Sequence, residues 1–267
     1  MSRQMRFDGM DFAADLAESI RVIRENQPKD APYYGLFSGG KDSVALKEVA
    51  RLAGADVEWH YNVTTIDPPE LVRFIREYHP DVTWHRPKHG NFFRRAAEVK
   101  GFPTRRTRWC CDEYKESCNP PGRALLMGIR AEESGARAAR WGFVTEHSRT
   151  KSPVVNPLIK WSSDDLWDFI RTQGVKYCSL YNEGFHRLGC IGCPMSRASG
   201  RRQQFDRWPK YEQKWRTVFR KVWERRTGTT QRDGQVWFGN RYFDDWEEMW
   251  GWWLSNRSLP EKKQEAE

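Results

Sequence analysis

The sequence lacks any apolar run long enough to cross a membrane. Of its 267 residues, 30% are charged, and its mean hydropathy is negative. The first residues, MSRQMRFDGMDF, do not contain the apolar core that a secretory signal peptide needs. The chain also has no internal repeat and no low-complexity linker. We therefore expect a cytoplasmic protein that does not associate with membranes.

Cysteine is scarce as well, with six residues in the whole chain and none in residues 194–267. In a reducing compartment, cysteines are more often metal ligands or reactive thiols than disulfide partners. Aromatic residues, by contrast, make up 14% of the sequence and include fourteen tryptophans. A chain of this length and composition can bury one sizeable core and an additional smaller region.

Most of the positive charge lies in one block. The whole chain has a formal net charge of +9, and residues 197–226 contain eleven Lys or Arg against Asp206, Glu212 and Glu224, a net of +8. A local basic block is typical of a surface that binds a polyanion such as nucleic acid. The alternative, an ordinary solvated helix face, stays open.

Apolar periodicity and turn residues predict alternating strands and helices. The predicted strands cover residues 33–37, 57–63, 82–85, 124–129 and 154–159, and the predicted helices cover residues 11–26, 44–52, 68–78 and 162–174. This order predicts an α/β fold, a mostly parallel sheet with helices on both faces. Aromatic spacing after residue 208 predicts that the basic block is one amphipathic helix with its aromatic rings in a core.

We expect three successive segments. Residues 1–30 would form an N-terminal helix, residues 31–195 a nucleotide-binding α/β domain that includes the cysteines, and residues 196–267 a basic, aromatic-rich helical region. Residues 246–253 predict a last helix, and we expect the charged end, residues 261–267, to fray.

A glycine turn follows the first predicted strand. Its sequence, Ser-Gly-Gly-Lys-Asp-Ser, comes close to the Walker phosphate-binding pattern, but Asp42 stands where a magnesium-binding hydroxyl is required, and the hydroxyl of Ser43 comes one residue later. This order disfavours a γ-phosphate ATPase. Backbone N–H groups at a helix N-terminus bind phosphate, and glycines permit close approach. The predicted phosphate- and magnesium-binding residues are Ser38, Gly39, Gly40, Lys41, Asp42 and Ser43.

The turn resembles the S-G-G-x-D-S loop of the adenine nucleotide α-hydrolase superfamily, which includes ATP pyrophosphatases and sulfonucleotide reductases. Residues 128–134, Gly-Ile-Arg-Ala-Glu-Glu-Ser, resemble the G-I-R-x-x-E-S segment of phosphoadenosine phosphosulfate reductase-like proteins, and residues 161–170 resemble their W-x-x-x-D-[LV]-W-x-[FY]-I helix. The resemblance implies binding of ATP or an adenylylated sulfate, with cleavage of ATP to AMP and pyrophosphate. Arg130 is a candidate phosphate or sulfate ligand, although a solvated arginine is the alternative.

Two cysteine pairs, Cys110-Cys111 and Cys190-Ile-Gly-Cys193, are separated by 78 residues. Adjacent cysteines rarely bind one tetrahedral zinc, so the pattern favours an iron–sulfur cluster, with zinc or free thiols as alternatives. Lys115, four residues after the first pair, makes the arrangement similar to the four-iron four-sulfur sulfonucleotide reductases. That similarity implies that the four cysteines hold a four-iron four-sulfur cluster and that Lys115 stabilises negative charge during catalysis. The roles of Cys118 and Cys178 stay open.

One feature departs from the reductases, which attack the substrate sulfur with a cysteine in a C-terminal tail. Because residues 194–267 have no cysteine, we expect a different reaction. The chain resembles the ATP pyrophosphatase component of DNA phosphorothioation systems, which receives sulfur from a cysteine desulfurase. The resemblance implies adenylation of DNA or tRNA for sulfur insertion, with Mg²⁺, Lys41, Asp42 and Ser43 at the phosphates. A sulfonucleotide reductase and a non-enzymatic nucleotide- or cluster-sensing module are the alternatives. The acceptor, the sulfur donor and the oligomeric state, a homo-oligomer included, stay open.

Overall fold

The computed structural model describes residues 10–147, 150–227, 235–238 and 241–255. Its contacts divide the chain into two compact units. The first unit contains the described residues of Met1–Val63, Pro68–His85 and Cys118–Gly189, and the second contains those of Thr64–Asp67, Arg86–Ser117 and Cys190–Glu267. Each unit is assembled from several chain segments, whereas the three segments predicted from the sequence follow one another in linear order.

A six-stranded sheet forms the centre of the first unit, in the order β3-β2-β1-β4-β6-β5. The strands are β1 Tyr33–Leu36, β2 Val57–Asn62, β3 Thr83–His85, β4 Leu125–Leu126, β5 Val144–Glu146 and β6 Pro153–Val155. All neighbouring pairs are parallel except β5 and β6. The predicted mostly parallel sheet is confirmed. The sequence missed β5, because this three-residue edge strand has an exposed Val144 and no apolar pattern.

Five helices accompany this sheet: α1 Met10–Glu25, α2 Lys41–Ala53, α3 Pro69–Tyr78, α5 Gly135–Arg140 and α6 Ser163–Thr172. Helix α2 packs against α1 and α6, and it ends at Gly54, which adopts the left-handed conformation common after a helix C-terminus. Helix α6 begins with a capping box between Ser162 and Asp165. Two predicted strands, residues 124–129 and 154–159, are shorter than expected; the second ends at Val155, before Asn156 and Pro157.

The second unit contains α4 Phe92–Arg95, two π-helical turns at Ala96–Lys100 and Cys111–Lys115, helices α7 Ala198–Arg207, α8 Pro209–Arg226 and α9 Trp246–Ser255, and a hairpin of β7 Val236–Phe238 and β8 Arg241–Phe243. The prediction that the basic block is one helix is wrong. Trp208 has non-helical angles, φ −128° and ψ 69°, because Pro209 excludes the α conformation from the residue before it. Pro209 itself suits the first turn of α8, where its missing N–H is not needed.

Aromatic side chains fill the core of the second unit. Trp215 and Phe219 of α8 are fully buried. The ring of Phe102 stacks on Phe219 at 4.0 Å, and Trp253 of α9 lies 4.9 Å from Trp215. The predicted core position of these rings and the predicted last helix are therefore confirmed, while residues 261–267 lie outside the described residues. None of the helices described here is long and apolar enough to span a bilayer.

Candidate functional site

The glycine turn lies at a topological switch point of the first unit's sheet. It follows β1 and leads into α2, and β1 has β2 on one side and β4 on the other. After β1 the chain adds β2 and β3 on one side of it, and it later adds β4, β6 and β5 on the other side. In open α/β sheets, ligands bind at the carboxyl ends of the strands where this direction changes. The turn therefore occupies the position expected of a nucleotide site.

Short contacts fix the shape of the turn. Gly39 has a φ of 72°, and a Cβ there would lie 2.7 Å from the side chain of Ile75, so only glycine fits. The hydroxyl of Ser43 donates to the carbonyl of Gly40 at 2.8 Å, and the hydroxyls of Ser38 and Ser43 lie 3.3 Å apart. The structure thus brings the two predicted serines together over the start of α2.

Asp42 accepts hydrogen bonds from two cations. The ammonium of Lys41 lies 3.2 and 3.1 Å from its two carboxylate oxygens, and Nε of Arg130 lies 2.6 Å from Oδ1. Arg130 is buried and also bonds Glu132 and Ser163. Burial lowers the pKa of Lys41, and the neighbouring Asp42 opposes that shift. Arg130 therefore holds Asp42 in place, and its predicted phosphate contact stays a prediction.

Two residues that the sequence analysis missed complete this site. The backbone N–H of Lys41 donates to the hydroxyl of Tyr181 at 2.8 Å. Burial raises the pKa of Tyr181, so its hydroxyl stays protonated. Gly128 lets the backbone pass close to the loop, since a Cβ there would lie 2.9 Å from the carbonyl oxygen of Asp42. The glycine of the Gly-Ile-Arg motif could have predicted the close approach at Gly128. Nothing in the sequence near Tyr181 predicted its contact with Lys41.

The four predicted cluster cysteines meet in the second unit. Cys110, Cys111, Cys190 and Cys193 line one cavity together with Lys115. The other lining residues are Thr64, Ile66, Phe92, Pro103, Tyr114, Pro194 and Trp215. In the described part of the chain, no three His, Cys, Asp or Glu side chains are arranged as ligands of a single metal ion.

Different local structures present the two pairs. Cys110 and Cys111 begin the π-helical turn Cys111–Lys115, and Arg108 donates to the sulfur of Cys111 at 3.3 Å. The second pair surrounds Gly192, whose φ is 77° and whose absent Cβ would lie 2.3 Å from Nε1 of Trp215. That indole donates to the carbonyl of Ile191 at 3.0 Å. The turn between Cys190 and Cys193 is therefore shaped by the core of α8.

The pocket favours the negatively charged form of one sulfur, that of Cys111. A hydrogen bond from Cys110 and the guanidinium of Arg108 lower the pKa of Cys111, and the same hydrogen bond and burial raise the pKa of Cys110. Burial raises the pKa of Cys190, while Lys115 opposes the shift. The proximity of Cys190 raises the pKa of Lys115, which stays protonated. Four thiols are a ligand set that fits an iron–sulfur cluster, and the ammonium of Lys115 lies at the same pocket.

The remaining two cysteines lie in the first unit. Cys178 is buried, and Cys118 is half-buried. Neither of them lines the cysteine cavity.

Comparisons with known proteins agree with this fold. Residues 33–196, more than half of the chain, match the phosphoadenosine phosphosulfate reductase domain. An uncharacterized protein of Methanocaldococcus jannaschii is 28% identical over 73% of this chain and 42% of its own length. An adenosine 5′-phosphosulfate reductase of Oceanobacillus iheyensis is 27% identical over 57% of this chain and 64% of its own. The chain thus spans less than two thirds of either relative.

Solved structures show the same fold at low sequence identity. The phosphoadenylyl-sulfate reductase from Candida auris, a phosphate complex, aligns with a TM-score of 0.51 at 13% identity and covers 72% of this chain and 99% of that one. The FMN adenylyltransferase of Candida glabrata aligns with a TM-score of 0.53 at 14% identity, over 71% of this chain and 65% of that one. With the match over residues 33–196, these findings establish that the chain belongs to the phosphoadenosine phosphosulfate reductase family.

Proposed function

We propose that this protein is an ATP pyrophosphatase that adenylates a nucleic-acid acceptor, DNA or tRNA, for sulfur insertion. The observation that carries the proposal is the distribution of thiols in the second unit. Its four cysteines all line one cavity, and residues 194–267 add no further cysteine that could attack a sulfonucleotide. The thiols of this unit therefore lie together at a site that suits an iron–sulfur cluster.

The loop of the first unit would bind the phosphates of ATP. Its hydroxyls, Ser38 and Ser43, and the N-terminus of α2 supply hydrogen-bond donors. Lys41 can turn from Asp42 to the phosphates, because Arg130 still neutralises the carboxylate. Asp42 then has an oxygen available for Mg²⁺, which binds hard oxygen ligands. These groups would balance the charge that develops on leaving pyrophosphate.

The reaction has two displacements. An acceptor oxygen attacks the α-phosphorus of ATP; the new O–P bond forms, the bond to the bridging oxygen of the β-phosphate breaks, and pyrophosphate leaves. A sulfur nucleophile at the sulfide oxidation level then attacks the activated acceptor atom, and AMP leaves with the original oxygen. A persulfide donated by a cysteine desulfurase would also need two electrons from a thiol reductant, which cleave its S–S bond.

The cluster would be held by Cys110, Cys111, Cys190 and Cys193. When bound, it would supply iron sites that can hold or pass on sulfur. Lys115 and Arg108 would balance its negative charge, and the ammonium of Lys115 can stabilise an anionic substrate group. The basic helices α7 and α8 would attract the nucleic acid, and we expect the reaction to take place in the cytoplasm.

A sulfonucleotide reductase is the second candidate, because the family match and the Oceanobacillus relative favour it. Its attacking thiol would come from a partner or from Cys178. The side chain of Cys178 is 1% exposed, which weighs against the second source.

Product analysis of anaerobically purified protein tests the proposal. One reaction contains Mg²⁺ and ATP, with and without DNA or tRNA, and another contains adenylyl sulfate with a thiol reductant. We expect AMP and pyrophosphate from ATP, in larger amounts with the correct nucleic acid, and loss of both in Lys41→Ala. Sulfite from the sulfonucleotide with ATP intact would instead establish a reductase.

A further inference from the structure

Helix α8 carries a row of exposed lysines along one side. Lys210, Lys214 and Lys221 are all exposed, and they recur at helical spacing within the helix. At about 100° of rotation per residue, the three side chains fall within about 40° of arc, and the row they form is about 16 Å long. Thr217, which lies between them on the same side, is exposed and uncharged. We call the three residues the lysine row.

The arginines of α8, by contrast, bond other groups of the second unit. Arg216 pairs with Glu212 at 2.9 Å, and Arg220 lies 3.8 Å from Glu224. These two glutamates are the carboxylates that α8 contains. The last two arginines of the helix donate to backbone carbonyl oxygens. The carboxylates of α8 are therefore neutralised by arginines and not by the lysine row.

The lysine row keeps its charge. Among the residues that the structure describes, none of its three ammonium groups forms an ion pair. Elements that pack against α8 also carry carboxylates, but these pair with other cations. Glu98, on the turn Ala96–Lys100, pairs with Arg94 at 2.9 Å, and Glu248 of α9 pairs with Arg241. The row therefore presents three positive charges to solvent that these neighbours do not neutralise.

The aromatic rings of α8 are poorly placed to stack on a base beside this row. The ammonium of Lys214 lies 5.3 Å from the ring centre of Tyr211 and 5.6 Å from that of Phe93, so it covers both rings. Trp215 and Phe219 are fully buried in the core. Proteins hold single-stranded nucleic acid largely by stacking its bases on aromatic rings, whereas a row of charges contacts phosphates. The row therefore suits a ligand that is recognised by its phosphates.

We propose that the lysine row binds a double-stranded segment of nucleic acid through its phosphates, without regard to base sequence. A DNA duplex carries about one negative charge per 1.7 Å of its axis, twice the charge of one strand over the same length. Charge complementarity therefore favours a duplex over a single strand at a surface that has charge and no stacking ring. The inference rests on the proposed function and specifies the form in which the acceptor is held.

Fluorescence anisotropy without ATP tests the lysine row. A fluorescein-labelled DNA duplex, one of its strands alone and a polyglutamate peptide would each be titrated with the full chain over a series of salt concentrations. We expect the triple variant Lys210→Gln, Lys214→Gln, Lys221→Gln to weaken duplex binding by about tenfold or more. The slope of its salt dependence should fall by about 2.7, because each phosphate contact contributes about 0.9. Arginine at the same three positions should retain the affinity of the parent.

The matched control removes three exposed lysines that lie elsewhere: Lys29→Gln, Lys88→Gln and Lys176→Gln. It lowers the net charge by the same amount, so it separates a contact from an effect of total charge. Its salt slope should stay close to that of the parent. A second control, Arg220→Gln, removes an arginine of α8 that already has a carboxylate partner, and it should change the slope less than the loss of one lysine of the row.

Equal salt slopes for the triple lysine variant and its matched control would overturn the proposal. So would tighter binding of the single strand than of the duplex, or binding of polyglutamate as tight as that of the duplex. These outcomes are separate from the proposed reaction. If the parent releases AMP and pyrophosphate while the triple variant binds the duplex normally, the surface is wrong and the function stands. If the triple variant loses affinity for the duplex while the parent cleaves no ATP, the surface stands and the function is wrong.

Discussion

The glycine turn of the first unit and the cysteine pocket of the second are built in different ways. The turn is one continuous segment between a strand and a helix, and its conformation depends on a positive φ at Gly39 and on hydroxyls within five residues. The pocket collects two cysteine pairs 78 residues apart. Contacts from α7 and α8 shape the second pair; for example, the side-chain oxygen of Gln204 in α7 accepts a hydrogen bond from the N–H of Gly192 at 2.8 Å. Local rules thus give the turn its conformation, to which distant residues such as Arg130 and Tyr181 add contacts, whereas tertiary packing defines the second site.

The strongest test of this contrast removes one pocket sulfur. Cys190→Ser should purify anaerobically with almost no iron and no visible cluster absorbance, because a hydroxyl is a poor ligand for iron that prefers thiolate. Iron analysis and absorption spectroscopy measure this, and ATP binding by the turn should persist. The control is Cys178→Ala, which removes a buried thiol of the first unit and should retain its iron. Iron at the parent level in Cys190→Ser would contradict the assignment.

A pair of glycine substitutions tests whether the sites are independent. Gly39→Ala should abolish ATP binding and keep iron, and Gly192→Ala should do the reverse. Each forces an L residue into the left-handed region, at a cost of about 1–2 kcal/mol, and places a Cβ against a side chain, at 2.7 and 2.3 Å respectively. Gly54→Ala is the control, since its φ is 65° and no atom lies within 4 Å of its Cβ.

The control should keep both ligands, because it adds the backbone strain without the overlap. Equilibrium dialysis with ATP and iron analysis of the three proteins provide the measurement. Loss of both ligands in either site variant would mean that the two units do not fold independently.

Acid should affect the two units unequally, because five of the six histidines lie in the first. Burial lowers the pKa of His60 and of His79 to about 4. Below pH 6.5 these imidazoles take up a proton in the unfolded state but not in the folded state. The folded state therefore loses stability relative to the unfolded state as the pH falls from 6.5 toward 4. Between pH 7 and 5 we expect the first unit to lose about 4 kcal/mol.

Amide hydrogen exchange in β1 and β2, corrected for intrinsic rates, measures this loss, and exchange in α8 reports on the second unit. The control is His89→Gln, which removes an exposed imidazole of the second unit. Equal acid destabilisation of β1 and α8 would contradict the prediction.

Breaking the ion pair at the turn should have a somewhat smaller effect. Asp42→Asn removes the charge that faces buried Arg130, and unpairing a buried charge costs about 3 kcal/mol. Urea unfolding measures the change in free energy. The control, Asp168→Asn, breaks an exposed pair with Arg171 and should change stability by less than about 0.5 kcal/mol. If Asp42→Asn lost no more unfolding free energy than this control, Glu132 alone would be sufficient to balance the charge of Arg130.

The same contrast explains what the sequence could predict. The loop residues and the core strands followed from local pattern, since a glycine turn between an apolar run and a helix has few other conformations. The cysteine pairs were identified by their spacing, and the cavity brings all four together. The identity of the bound group rests on the chemistry of sulfur and on family resemblance.

Features that depend on distant contacts were not predictable. The β7–β8 hairpin has strands of three residues, too short for a periodic signal, and its Trp237 is exposed only because Val236 and Phe243 take the buried face. The break at Trp208 was readable in Pro209, but the aromatic spacing continues across it and concealed it. Tyr181 lies 140 residues from Lys41 in sequence, and no local rule connects them.

Tyr181 offers the smallest and most specific test. Its hydroxyl accepts the N–H of Lys41 and fixes the first residue of α2 before any phosphate arrives. Tyr181→Phe leaves that N–H without its partner, and the loss of one hydrogen bond of about 1 kcal/mol should weaken ATP binding about fivefold. Isothermal titration measures the affinity, with Tyr177→Phe as the control, because its hydroxyl bonds Asn182 instead. Tighter binding in Tyr181→Phe would mean that the hydroxyl competes with phosphate for the N–H and does not prepare the turn for ATP.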